Sequence, residues 1–361
     1  MKSLVIDKGA LRANLSEIKS RAGSAEIVAD LSGDGQGVGL VRMARFLREE
    51  GLGFFAVSET RDAVLLRSNG FAEERILMLP SITDVGQLQD LMDAGVIFTI
   101  GSYEAGIALN GLASERSTVA EARVRIDTGL GQYGFLPGET DKILNLYRHM
   151  PGLAITGLYA HLSGANIRSA TEAQYASFMA AVEALRAQGV ETGVVQALDS
   201  AALLRCELGE QAAICVGAAL VGRLPLKSLG GLTRVGVIEA PLEEITWLDK
   251  GVRIGMGSGV ELKKPTRVAV LDVGWYHGVG VLRESDRAEL RFWRRVQALF
   301  SQGGEYTPEI RVRGKRARLL GKVGMAALTL DVTKCECGPG DVAVIEADPR
   351  MVRGLPVELR G

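Results

Sequence analysis

Cysteine is scarce in this 361-residue chain: there are four, Cys206, Cys215, Cys335 and Cys337. Their spacing fits no common zinc pattern, and a chain long enough for two domains and a sizeable core does not need disulfide staples. KCECG, residues 334–338, reads as a solvent-facing turn that would chelate weakly at best. Net charge is nearly absent as well. The 42 Lys and Arg against 43 Asp and Glu leave −1, which removes any general electrostatic pull toward nucleic acid or an anionic membrane. No apolar run is long enough to span a bilayer. The opening MKSLVIDKGALRANL turns polar within a few residues, unlike a secretory leader. These absences predict a reduced, cytoplasmic setting with no membrane or nucleic-acid partner.

One further absence is local. IVADLSGDGQG, residues 27–37, is an apolar strand running into a glycine-rich turn. Turns of this kind at the mouth of a parallel sheet often hold a cofactor. This one offers two carboxylates, Asp30 and Asp34, and no lysine, arginine or histidine.

What is present is a regular alternation of strand and helix over the first two thirds. Short apolar strands read at 26–30, 54–58, 76–80, 96–102, 123–129, 155–162, 194–200 and 214–222. Between them lie stretches such as LVRMARFLREEG and EAQYASFMAAVEALRAQG, with apolar residues three and four apart. Continuous apolar strands alternating with helices imply a parallel sheet. Eight such units over roughly 220 residues are what a closed (β/α)8 TIM-like barrel requires. After about residue 230, alternating runs such as RVAVLDVG and DVAVIE predict an antiparallel β domain. The expected organisation is an N-terminal strand (1–10) joining the β domain, a barrel over 11–232, and a C-terminal β domain over 233–361. A basic amphipathic helix near 285–303 reads as an insertion anchored by Phe292 and Trp293. In such barrels ligands sit at the C-terminal ends of the strands. That rule gathers Asp30 to Gly37, Asp127, His161, Asp199, Ser200, Cys215 and Gly217 at one mouth.

The motifs have a recognisable order. RIDTGLGQYGF, GLYAHLSGAN, LDSAALL and VGAALVG in the barrel, then PTRVAVLDVGWYHG and GKVGMAALTLDVT in the β domain, resemble the alanine racemase family of fold type III pyridoxal-phosphate (PLP) enzymes nearly end to end. The resemblance implies a PLP site, and its usual form departs from this chain at several positions. The lysine that forms the Schiff base falls on Asp30, the phosphate-contacting tyrosine on Asp34 and a histidine on Gln36. The arginine at the pyridine nitrogen falls on Cys215. The arginine of DTGMGR falls on Gln132, and the often carbamylated lysine on Arg125. The tyrosine base contributed by a partner subunit falls on Trp275, with Tyr276 one position away; a one-residue shift in a strand would turn Tyr276 to the opposite face. Met325 matches the methionine of the second β-domain motif, and Lys322 replaces an arginine there. Ser200, Gly217 and Ala218 match phosphate contacts, His161 matches the residue packed against the cofactor ring, and Arg353 falls near a terminal tyrosine that touches the phosphate.

An aspartate cannot form an imine, and covalent PLP chemistry needs an amine. Lys8 and Lys19 are nearest in sequence and sit on or before the first helix, poorly placed to substitute. The reading that follows is a racemase-fold protein without the two-base PLP site, with no covalent cofactor and no metal. It is a pseudoenzyme or a repurposed binding or regulatory protein for an amino acid or phosphorylated small molecule. Non-covalent PLP or another anion would rest on the Ser200, Gly217 and Ala218 cradle. The alternative is an amino-acid racemase, epimerase or related isomerase using non-covalent PLP or PLP-independent acid–base chemistry, with Asp30, His161 and Tyr276 as candidate catalytic groups. Asp30 is expected to pair with Arg125 across the barrel, since an unpaired buried carboxylate is costly. The resemblance also implies a head-to-tail homodimer.

Overall fold

A computed structural model describes residues 1–162, 167–197, 199–206, 209, 212–224, 226, 230–255, 259–281 and 308–361. The helix expected near 285–303 lies outside them. The chain divides into two compact units. One comprises Asn14–Leu220 and Ser228–Leu232, the other Met1–Ala13, Val221–Lys227 and Thr233–Gly361.

After β1 (Ser3–Asp7), the strands of the first unit are β2 (Glu26–Asp30), β3 (Phe54–Val57), β4 (Arg75–Ser81), β5 (Ile97–Ile100), β6 (Ala120–Arg125), β7 (Leu153–Tyr159), β8 (Val194–Gln196) and β9 (Ala213–Val216). They form one parallel sheet in the order β8-β7-β6-β5-β4-β3-β2-β9, a near-closed barrel whose two edge strands are β8 and β9. Both sheet faces are covered, so a strand such as β3, FFAV, is buried throughout. The helices cover the outside by amphipathic spacing. Leu40–Glu49 buries Leu40, Met43, Ala44, Phe46 and Leu47 and turns Arg42, Arg45 and Arg48 to solvent. Inside the barrel, Val28, Phe54, Ala56, Leu77, Ile97 and Ala213 form an apolar cluster below the mouth.

The second unit contains β10 (Val237–Pro241), β11 (Glu244–Leu248), β12 (Arg253–Ile254), β13 (Val260–Glu261), β14 (Thr266–Leu271), β15 (Ile310–Val312), β16 (Lys315–Leu320), β17 (Leu328–Asp331), β18 (Val342–Glu346) and β19 (Val357–Arg360). Its nine-stranded sheet runs β11-β14-β17-β16-β15-β18-β10-β1-β19. The pairs are antiparallel except β1 with β19. Buried Arg223 and the largely buried Arg350 organise its base. Arg223 bonds Glu346 Oε1 at 3.0 Å and donates to the carbonyls of Ala347 and Val235. Asp348 Oδ2 accepts from Arg350 Nη2 at 2.6 Å, with the acid almost fully buried.

The KCECG segment corrects an expectation. Its two cysteines are buried, because the Arg267 guanidinium reaches over and donates to the carbonyls of Cys335 and Cys337, drawing the turn onto the sheet.

Candidate functional site

The loop after β2 makes the barrel mouth unusual. From Gly33 to Gly37 every residue has φ between +58° and +79°, so GDGQG traces a left-handed turn rather than an ordinary helix. L-residues adopt this conformation at a cost of about 1–2 kcal/mol each, and here glycine occupies every other position. At Gly35 a Cβ would stand 3.0 Å from Met43 Cβ and 3.1 Å from the Leu40 backbone, so the turn also needs glycine for space. The two non-glycine residues are held by their side chains. Asp34 Oδ1 accepts the Leu40 amide at 2.8 Å, serving the start of the next helix. Buried Gln36 donates to the carbonyls of Asp30 at 3.0 Å and Ser32 at 3.2 Å.

The other mouth acids are also engaged with backbone amides. Asp127 accepts Gly129, Leu130 and Gly131 amides at 2.7–2.9 Å and shapes the loop that follows β6. Asp199 caps the helix Ser200–Arg205 through Ala201 and Ala202, and its Oδ2 stands 3.9 Å from Nε2 of the half-exposed His161. Among the described residues no three His, Cys, Asp or Glu side chains converge as a metal-holding group.

Asp30 and Arg125 do not form the expected ion pair. Asp30 Oδ1 turns back to the Ser32 amide at 2.9 Å, closing a local turn that competes with any cross-barrel partner. Arg125, 7% exposed, lies instead beside the rings of Tyr133 and Tyr159, at 5.7 and 5.8 Å from their centroids. Tyr159 is anchored by Thr99 Oγ1 at 2.8 Å and donates to the Leu79 carbonyl at 3.2 Å. Burial pushes its phenol up, against the pull of the Arg125 charge. Cys215, on β9, is partly open to solvent. Burial first, then the charges of Asp30 and Asp199, hold its thiol well above the ordinary range, so it is a neutral wall of the site rather than a nucleophile.

Ser200 faces the backbone after β9. Its Oγ accepts the Gly217 amide at 3.0 Å and the Ala219 amide at 3.3 Å, with Ala218 between them. A Cβ at Gly217 would lie 2.7 Å from Gln36 Nε2 and 3.0 Å from Asp30 Oδ2, so those two side chains cover the glycine. We expect Ser200→Ala to strand both amides and lower stability by about 1–3 kcal/mol, read from denaturant midpoints. A loss below about 0.5 kcal/mol would show that water replaces the hydroxyl at no cost.

Sequence reasoning missed Arg123. Its signal was the alternation in β6: Glu121, Arg123 and Arg125 share one face, while Ala122, Val124 and Ile126 share the other. Arg123 is fully buried inside the barrel, bonded through Nη1 to Gln196 Oε1 at 2.9 Å and lying 5.0 Å from the Phe54 ring centroid.

The remaining candidates belong to the β unit. Trp275 and Tyr276 are half-exposed and sit on a 3-10 turn, Trp275–His277, not on a strand. A shift of one position there rotates a side chain by roughly 120°, so opposite-face reasoning does not apply. Their amides bond the carbonyls of Gly324 and Met325, placing exposed Met325 beside them. Arg353 spends its Nη1 on the carbonyls of Arg350 and Val352. Gln132 is exposed on the loop after β6.

No helix among the described residues is long and apolar enough to cross a membrane. Two family profiles match the chain: "Alanine racemase, N-terminal domain" over residues 6–225 and "Alanine racemase, C-terminal domain" over 235–353. An alanine racemase of Methylacidiphilum infernorum is 27% identical over 346 residues, covering 94% of this chain and 82% of the relative. One of Desulforamulus reducens is 27% identical over 365 residues, covering 98% and 90%. Among solved structures, the fold matches alanine racemase from D-cycloserine-producing Streptomyces lavendulae with a TM-score of 0.85 at 20% identity, covering 100% and 97% of the two chains. The E. faecalis enzyme gives 0.82 at 22%, covering 99% and 98%. With both domains matched in order along most of its length, the chain belongs to the PLP-dependent alanine racemase family.

Proposed function

We propose that this member of the family binds a small molecule at the barrel mouth without covalent PLP and without two-base racemisation. The observation that carries the reading is Asp30, at the end of β2, where the family places its lysine. The barrel unit contains only two lysines. Lys19 donates to the Glu50 carbonyl at 2.7 Å and Lys142 pairs with Glu139 at 2.5 Å, both on outer helices. A carboxylate only accepts hydrogen bonds and offers no amine to a carbonyl. The residues present therefore do not fit covalently held PLP. The cradle matches it poorly too, since Ser200 already takes the Gly217 and Ala219 amides and Gln36 and Asp30 cover Gly217.

What these residues offer is a binding site of mixed charge. Arg125 can meet a carboxylate or phosphate oxygen, and the Ser200 hydroxyl, accepting two amides, keeps its proton to donate. Asp30 and Asp199 suit an ammonium group. An amino acid or a phosphorylated small molecule matches that set. A cytoplasmic homodimer belongs to the same reading; the exposed Trp275, Tyr276 and Met325 form an apolar patch of the kind that interfaces cover. Purified protein should show no racemisation of a panel of L-amino acids by chiral chromatography, with or without added PLP. Turnover in that assay sinks the reading.

A further inference from the structure

The β unit carries a groove of about 510 Å³. It lies at one end of the nine-stranded sheet, where β14 begins, β17 ends and β16 begins, and these strands are neighbours in the order β14-β17-β16. That topology gathers cations from three separate stretches of sequence. Lys264 precedes β14, Arg316 and Arg318 lie on β16, and Lys334 follows β17. Against these four, the described lining offers one carboxylate, Asp331. That acid is already engaged. Its Oδ1 accepts the Thr333 amide at 3.0 Å, and its Oδ2 stands 3.9 Å from Arg318 Nη2, directly across the β16–β17 pair. Asp331 is 18% exposed and Arg318 71%, so the carboxylate orients the guanidinium and leaves most of it open. Lys264, Arg316 and Lys334 are exposed and form no ion pair with a described residue. The cations of the adjoining hairpin differ: Arg311 pairs with Glu309 at 2.6 Å and Arg313 with Asp341 at 3.0 Å. The uncompensated positive charge is therefore concentrated in the groove.

A chain of net charge −1 has no general surplus of cations, so a local surplus lining a concavity is a property of that place. Like charges gathered in one groove repel, and an anion that touches several of them removes the cost. The volume falls in the range of small-molecule sites, about 300–1,000 Å³. No aromatic side chain lines it among the described residues, so it offers a nucleobase no stacking platform. The Thr333 hydroxyl accepts the Arg267 amide at 3.0 Å and keeps its proton to donate. We infer that this groove binds a small soluble polyphosphate, an anion of two or more linked phosphoryl groups. Arg316 and Arg318 fork its oxygens, Lys264 and Lys334 supply point charges, and Thr333 donates one hydrogen bond. The site belongs to the β unit alone and stands whatever the barrel mouth binds.

Titrated with inorganic triphosphate in a calorimeter at low ionic strength, the full chain should take up one equivalent, and added salt should weaken the binding. Arg316→Gln with Lys334→Gln changes two exposed side chains, so the double variant should stay folded and bind triphosphate at least about tenfold more weakly. Arg42→Gln with Arg45→Gln removes the same charge from an outer helix of the barrel unit and should leave the affinity unchanged. Equal weakening by both pairs means attraction to net charge alone and overturns the site. Saturable heat indifferent to the groove pair, or no heat at all, overturns it as well. ATP should bind no more tightly than triphosphate; a tenfold preference for ATP means that the base is read and overturns the polyphosphate assignment. Capture by vesicles bearing a bisphosphorylated inositol lipid, without uptake of triphosphate, assigns the groove to a lipid headgroup and overturns the soluble ligand.

Discussion

Incubated with PLP and reduced with borohydride, the protein should yield no pyridoxyl-lysine peptide, whereas Asp30→Lys should yield one at position 30. The expectation follows from which side chains line the barrel. Lys19 and Lys142 are both on outer helices, one occupied by a carbonyl and the other by a carboxylate. A lysine at position 30 would stand at the end of β2, near the same Cys215 that Asp30 influences. There the field of Arg123 and Arg125 favours the neutral amine, the form that attacks a carbonyl. Trapping is the right readout because it needs only the nucleophile. Racemisation needs more: on the proposed reading, in which Trp275 takes the second base's position, Asp30→Lys alone should remain about 10²–10⁴-fold less active than Asp30→Lys with Trp275→Tyr. A labelled lysine peptide from the wild-type chain would remove the basis of the proposed function.

Asp348→Ala should destabilise the β unit strongly, by about 3–5 kcal/mol. Asp348 Oδ1 accepts both the amide and Nε of Arg350 at 3.0 Å, and Oδ2 accepts Nη2 at 2.6 Å. Removing the acid leaves the largely buried Arg350 without its counter-charge and uncaps the turn Pro349–Met351. Arg350→Met in the same chain should recover part of the loss, since it removes the stranded charge. The pair also sets an acid limit. Burial pushes the Asp348 carboxyl up, but the hydrogen bonds and charge of Arg350, with Arg223 behind, hold it below the ordinary value. Its folded pKa lies below its unfolded pKa of about 3.9. The stabilisation is therefore complete above that value and is lost as pH falls through the folded one. Asp348→Asn should flatten the acid limb of a stability-versus-pH curve. An Asp348→Ala variant within about 1 kcal/mol of the parent, measured by denaturant unfolding, contradicts this account.

The barrel was legible in the sequence because its strands are short, continuous apolar runs with nothing else to be. Their ends were not. The run at 194–200 stops at Gln196 because Asp199 leaves the strand to cap a helix. The run at 96–102 stops at Ile100 because Ser102 caps the next helix. The run at 214–222 stops at Val216, where the Gly217 amide turns to Ser200. In each case apolar periodicity continues past the point where a side-chain oxygen takes over the backbone. The site was legible as a set of positions at strand ends, but not as a set of bonds. Residue types indicated that Asp30 and Arg125 carry opposite charges; they gave no sign that a two-residue local turn would outcompete a bond across the barrel. Arg123 was visible only as an alternation within β6.

The turn at Gly33–Gly37 carries one more consequence. Over these five residues the chain is locally a fragment of mirror-image protein, because a positive φ for an L-residue is the ordinary conformation of its D-enantiomer. A semisynthetic chain with D-alanine at Gly33 should fit the turn without strain and restrict the unfolded ensemble, while L-alanine at the same exposed position should strain it. Handedness, and not size or polarity, is what this segment selects.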